Sequence, residues 1–252
     1  MPAPALRLSY GPDADQYAEL SLPESGAAAQ AVVVIIHGGY WRAAYDAELG
    51  RPLAADLAAR GFAAWNLEYR RVGKGGGWLE TFEDICAGID ALVPAAREHD
   101  VDLSRVVFLG HSAGGHLAVL AAGRTDPRVL PAGVVSCSGV LNLAEAHELG
   151  LSNGAVRNFL GCTPVSNPRR FREADPMCAL PLQVPVWALH GGEDSTVPLS
   201  SSSSWVDAAR ASGTAAQLRL IPGDHFAMIT PGTPAWDAVV TAVREAAGIP
   251  VV

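Results

Sequence analysis

Gly110-His-Ser-Ala-Gly114 sets a serine between two glycines at the spacing G-x-S-x-G, after the apolar run Val106–Leu109 and before the helical stretch Gly115–Ala122. A strand that turns at once into a helix holds its central residue in a strained conformation, with the side chain exposed above the sheet edge. Ser112 is therefore a candidate nucleophile. The first helical N–H, that of Ala113, points beside it, and the positive end of the helix dipole favours an oxyanion there. A hydroxyl is a weak nucleophile unless a base takes its proton, so the same chain must supply a histidine and a carboxylate, in the order Ser, acid, His.

Four histidines follow Ser112. His116 lies on the nucleophile's own helix and reads as a packed or capping residue, and His147 falls in an irregular segment and reads as exposed. His190 ends the strand Val184–Leu189 and leads into Gly191-Gly-Glu-Asp194, a loop at the carboxyl end of a core strand, where open α/β sheets place their sites. Asp194 is the preferred acid because Ser195-Thr-Val-Pro198 after it opens the next helix; Glu193 is the alternative. The last strand, Gln217–Ile221, runs into Pro222-Gly-Asp-His-Phe226, which makes His225 the candidate base and Asp224 a neighbour.

His37-Gly-Gly-Tyr-Trp41 follows the buried strand Ala31–Ile36. Glycines there let backbone N–H groups face a ligand, and Gly39 and Tyr40 are the expected second and third oxyanion donors, with Gly38 making the turn and His37 packed beneath. Tyr40 and Trp41 beside that loop, Tyr69 after a core strand, Trp78 after a glycine run at 73–77, and Phe226 beside the base offer flat walls for an aryl or small apolar group. Gly38, His111 and Asn142 complete the expected substrate pocket. His111 and His116 have the wrong interval for a helical ligand pair, so the reading calls for no metal and no cofactor.

These residues need a scaffold. Short β-branched runs at 31–36, 62–67, 106–109, 133–135, 184–189 and 217–221 alternate with segments of helical period, such as Leu49, Leu53, Leu57 and Phe82, Cys86 (or Ile85), Ile89, with Pro94 kinking or ending the second. The repeated β-α pattern predicts an α/β fold: a mostly parallel sheet flanked by helices on both faces, within one domain spanning 1–252. Leu6–Tyr10 and Tyr17–Leu22 predict an antiparallel start. The segment 140–177 breaks the rhythm with scattered Gly, Asn and Pro, as a lid or cap insertion would. The serine run at 200–204 reads as a helix start with its polar face outward.

The formal charge of −8 excludes nucleic acid as a partner. The N-terminus lacks the features of a signal peptide or lipidation site, and the longest apolar run is too short to span a bilayer. The four cysteines, irregularly spaced, read as buried free thiols of a reducing compartment, so the expected setting is cytoplasmic and the partner a small molecule, aromatic or short-acyl. Oligomeric state leaves no mark in one chain.

HGGYW at 37–41 with GHSAGGHL at 110–117 resembles the kynurenine formamidase (arylformamidase) branch of the hormone-sensitive-lipase-like α/β-hydrolases. The resemblance implies an α/β-hydrolase fold, Ser112 as nucleophile, Asp194 as acid, His225 as base and an oxyanion hole from the 38–40 loop with Ala113. It further implies hydrolysis of a small aryl formamide or ester, with N-formylkynurenine as candidate substrate. A general short-chain carboxylesterase and a ligand-binding homologue without catalysis are the alternatives.

Overall fold

The computed structural model describes residues 5–23 and 27–250; the first four residues of the N-terminal stretch read above, and residues 251–252 of the expected 1–252 span, lie outside them. The chain opens with β1 (Leu6–Ser9) and β2 (Tyr17–Ser21), then alternates β3 (Val32–Ile36), α1 (Arg51–Ala59), β4 (Ala63–Leu67), α2 (Trp78–Asp90) and α3 (Leu92–Glu98). It continues through β5 (Val106–His111), α4 (Ala113–Ala122), β6 (Gly133–Cys137), α5 (Leu143–Glu148), α6 (Leu151–Leu160) and α7 (Pro168–Ala174). β7 (Val186–Gly191), α8 (Leu199–Ala211), β8 (Ala216–Ile221) and α9 (Pro234–Ala246) close it.

One eight-stranded sheet runs in the order β1-β2-β4-β3-β5-β6-β7-β8. β1 and β2 are antiparallel to their neighbours, and every later pairing is parallel. Every residue of β3 to β7 is buried, the signature of strands covered on both faces, and this is why their sequences are apolar without alternation. One cluster packs Val32, Val34 and Ile36 against α2 and α4; the other packs Val33 and Ile35 against α1 and α9. The architecture is that of an α/β-hydrolase. The break expected at Pro94 falls at Ala91, which separates α2 from α3 and leaves Pro94 in the first turn of the new helix, where its missing N–H is harmless.

The segment at 140–177 carries α5, α6 and α7. Ala155, Val156, Phe159, Leu160 and Phe171 within it join the main core, so it is anchored on the sheet's helical layer. Two expectations are corrected. The serine run does not face solvent throughout: Ser201 and Ser202 are buried, Ser201 accepting from Leu141 N–H and Ser202 bonded to His190 Nδ1 at 2.8 Å, because α8 turns that face onto β7. Among the cysteines, Cys178 is exposed and Cys86 half-buried, while Cys137 and Cys162 are buried; all four are unpaired.

Candidate active site

Ser112 sits between β5 and α4 with φ 55° and ψ −119°, a left-handed φ that a non-glycine residue rarely adopts. The turn is held from both sides: Ser112 N–H donates to Cys137 C=O at 2.9 Å, and its carbonyl accepts from Gly115 at 3.0 Å and Val140 at 3.2 Å. Gly114 is required by contact, since a Cβ there would stand 1.9 Å from the Ile36 carbonyl oxygen. Gly38 is required likewise, because a Cβ there would meet the Ser112 Cβ at 2.9 Å. The loop after β3 therefore lies directly against the serine turn.

That loop is left-handed over three successive residues, with φ 107° at Gly39, 50° at Tyr40 and 57° at Trp41. Each non-glycine left-handed residue costs about 1–2 kcal/mol, so neighbouring contacts must impose the shape. Trp41 is fully buried and stacks on Phe159 at 4.5 Å, and the Tyr40 hydroxyl donates to Thr196 C=O at 2.8 Å. Beneath, His37 stacks on Tyr69 at 4.3 Å, and its Nε2 lies 3.2 Å from Glu68 Oε1. Glu68, itself buried, also accepts from Ala47 N–H at 2.8 Å and pairs with Arg71 at 3.2 Å. Among the described residues the N–H groups of Gly39, Tyr40 and Ala113 have no intramolecular acceptor.

Asp194 and His225 leave the carboxyl ends of β7 and β8. His225 Nδ1 lies 2.7 Å from Asp194 Oδ2, and Asp194 Oδ1 accepts from Thr196 and Val197 N–H at 2.8 and 3.0 Å. Burial opposes ionisation of Asp194, but the hydrogen bonds from His225, Val197 N–H and the Ser138 hydroxyl outweigh it and hold its carboxyl well below the usual carboxylate range. Its charge therefore persists in a site where only 1% of its side chain is accessible. Glu193 is exposed, and Asp224 is a turn carboxylate that accepts from Phe226 and Ala227 N–H, each at 3.0 Å.

Ser112 and His225 line one cleft of roughly 650 Å³, part of it open to solvent, together with Gly39, Tyr40, His111 and Phe226. The serine hydroxyl makes no hydrogen bond to the imidazole in this structure; such contacts often tighten only when substrate binds. His111 Nε2 donates to the His225 carbonyl at 2.9 Å, tying the His225 loop to the serine turn, and burial pushes the His111 imidazole down to about 3, so it stays neutral.

Five expected pocket residues do not line the cleft. Trp41 faces the core, because the left-handed turn that frees its neighbours' N–H groups swings its ring inward. Trp78 opens α2 and stacks on Phe82 at 5.2 Å, buried in the core rather than walling the cleft. Tyr69 is fully buried under the oxyanion-type loop, its hydroxyl donating to His37 C=O at 2.8 Å. Asn142 caps α5, accepting from Glu145 N–H at 3.1 Å. Gly38 touches the serine turn from behind rather than lining the cleft. Conversely, Arg42, Tyr45, Leu49, Ser152 and Thr196 line the cleft although no motif marks them as pocket residues. For Arg42 and Tyr45 the only sequence signal is proximity to the HGGYW turn.

His116 is a core residue, with Nε2 donating to Ala174 C=O at 2.8 Å and its imidazole pushed down to about 4 by burial. His147 is half-buried against Phe171 rather than exposed. His190 Nε2 donates to Val197 C=O at 3.1 Å, which braces the Asp194 turn. Among the described residues no group of three or more His, Cys, Asp or Glu could hold a metal ion, and no helix is long and apolar enough to cross a membrane.

Comparison with known proteins places this geometry in a family. The BD-FAE family model matches residues 18–208, and the chain belongs to that family. It is 26% identical over 234 residues to isoprenylcysteine alpha-carbonyl methylesterase of Arabidopsis thaliana, covering 85% of this chain and 54% of that protein. It is 27% identical over 212 residues to kynurenine formamidase of Drosophila melanogaster, covering 78% of this chain and 66% of that protein. The chain thus spans between about half and two thirds of the length of these curated relatives. The crystal structure of esterase B from Lactobacillus rhamnosis superposes with TM-score 0.82 at 21% identity, covering 95% of this chain and 83% of that one, a likeness of fold.

Proposed function

We propose that this BD-FAE-family protein is a serine hydrolase that cleaves a small aryl ester or formamide, with Ser112 as nucleophile, His225 as general base and Asp194 as the acid that orients it. The observation that carries the reading is the 2.7 Å contact of His225 Nδ1 with a buried, ionised Asp194, on the cleft that Ser112 lines from a strained strand-to-helix turn. In this mechanism Ser112 Oγ attacks the substrate carbonyl carbon while His225 Nε2 takes the hydroxyl proton. The carbonyl oxygen becomes an oxyanion that accepts from the free N–H groups of Gly39, Tyr40 and Ala113. His225 then gives its proton to the leaving alcohol or amine as the C–O or C–N bond breaks. Water, deprotonated by the same imidazole, releases the acid and restores Ser112.

Tyr45 and Phe226, 44% and 51% exposed on the cleft, supply flat walls that suit an aryl group, in place of the three aromatics found in the core. The kynurenine formamidase relative makes an aryl formamide the leading candidate, and the esterase relatives support a short-chain ester as the second. The unpaired cysteines suit a reducing compartment, so the proposal places the enzyme in the cytoplasm.

Turnover of N-formylkynurenine measured beside p-nitrophenyl acetate separates the two substrates; a large preference for the simple ester sinks the formamidase reading. A fluorophosphonate probe should label the wild type stoichiometrically and Ser112→Ala not at all. An unlabelled wild type would instead favour a binding protein without catalysis.

A further inference from the structure

A cleft built for a neutral ester needs no fixed charge, yet this one contains an arginine. Arg42 is the one permanently charged side chain among the residues lining the cleft, in a protein of formal charge −8. Among the described residues no carboxylate lies within ion-pairing distance of it, whereas the neighbouring Arg70 and Arg71, half-buried and buried, pair with Asp84 and Asp15. Its backbone is clamped next to the oxyanion-type loop. Arg42 N–H donates to Gly39 C=O at 3.1 Å, and the flanking residues bond to Val72, Ala43 N–H to its carbonyl at 3.0 Å and Trp41 C=O from its N–H at 2.9 Å.

The half-buried side chain donates from Nη2 to the Ser152 carbonyl, which comes from the left-handed stretch 152–154 of α6. A guanidinium carries five N–H donors, so this one bond leaves the rest of its fork for a ligand. A fork held in the cleft by its bond to Ser152 fits a carboxylate by paired charge-assisted hydrogen bonds.

We infer that Arg42 is a specificity-determining residue that recognises a carboxylate on the substrate, so that the preferred substrates are anionic esters or amides. The inference rests on the reading of Ser112 as nucleophile. Charge on the substrate then enters chiefly through KM, because the carboxylate is bound alike in the ground and transition states.

Two matched substrate pairs test this, one with the charge on the leaving group (3-acetoxybenzoate against 3-acetoxybenzamide) and one with it on the acyl group (methyl hydrogen succinate against methyl succinamate). The readout is the ratio of kcat/KM, anionic over neutral, within each protein, so a general loss of activity cancels. In the wild type at low salt the ratio should exceed about tenfold for at least one pair, and added salt should lower it. Arg42→Gln should bring that ratio to about one through KM, and Arg42→Lys should keep part of it.

Wild-type ratios near one for both pairs overturn the inference. So does an Arg42→Gln variant that slows both members of a pair equally, the behaviour of an arginine that only props the insertion. Fluorophosphonate labelling with neutral-ester turnover in the wild type shows that the nucleophile reading stands independently. If labelling and all turnover are absent, that reading fails and the inference falls with it.

Discussion

At Asp194 two effects of opposite sign compete, and hydrogen bonding wins. Removing a carboxylate from water favours its protonated form, but four donors at this site stabilise the anion. The ionised oxygen fixes the proton of His225 on Nδ1, which leaves Nε2 free to act toward Ser112. Asp194→Asn keeps the shape and can still accept from Thr196 and Val197 N–H. However, an amide offers His225 either tautomer and stabilises no imidazolium. The expected outcome is a fall in kcat of about 10³- to 10⁴-fold with little change in KM, while the thermal midpoint moves by only a few degrees. Equal losses in kcat and in folding would show that the carboxylate serves the fold instead.

Among elements, the decisive join is the helix α4 against the end of β3. The Ile36 carbonyl lies where a side chain at 114 would begin, and the Ser112 turn exists only because nothing is there. Gly114→Ala should destabilise the protein by about 3 kcal/mol or more, since neither the strand carbonyl nor the helix can yield without moving Ser112. Gly150 gives the comparison. A methyl there meets nothing within 4 Å, although its φ of +61° is left-handed. Gly150→Ala should therefore lose only about 1 kcal/mol from backbone strain. Urea titrations of both variants would show the contrast; equal midpoints would mean that the turn has slack the packing does not suggest.

Across the whole molecule, buried histidines set how the fold meets acid. His111 and His116 are pushed down to about 3 and about 4 by burial, whereas in the unfolded chain they titrate near 6.5. Between those values the unfolded state binds protons that the folded state refuses, so stability falls as pH falls from about 6.5 toward 4. Each site contributes at most about 1.4 kcal/mol per pH unit. Asp194 acts in a lower window, because its depressed value gives stability that is complete above about pH 4 and lost below it. Urea midpoints at pH 7, 5.5 and 4.5 should decline steadily, and His116→Gln should show a shallower slope whatever its absolute stability. An unchanged slope would mean that His116 takes up its proton in the folded state as readily as in the unfolded chain.

The sequence by itself determined the sheet, its parallel sense and the order of the chemistry-bearing loops, because strands buried on both faces are continuously apolar and glycines mark the turns after them. It also named Ser112, Asp194 and His225, each just past such a strand, and the fold gathers them at one sheet edge. Tertiary structure alone decided what walls the cleft. Sequence position puts Trp41, Tyr69 and Trp78 among the aromatics near the mouth, yet Phe159, His37 and Phe82 cover them. Periodicity tells which way a side chain leaves its own element but not which distant element lies over it. Arg42 and Ser152 share a cleft although 110 positions separate them, and only the packing of the 140–177 segment against the loop after β3 could reveal that.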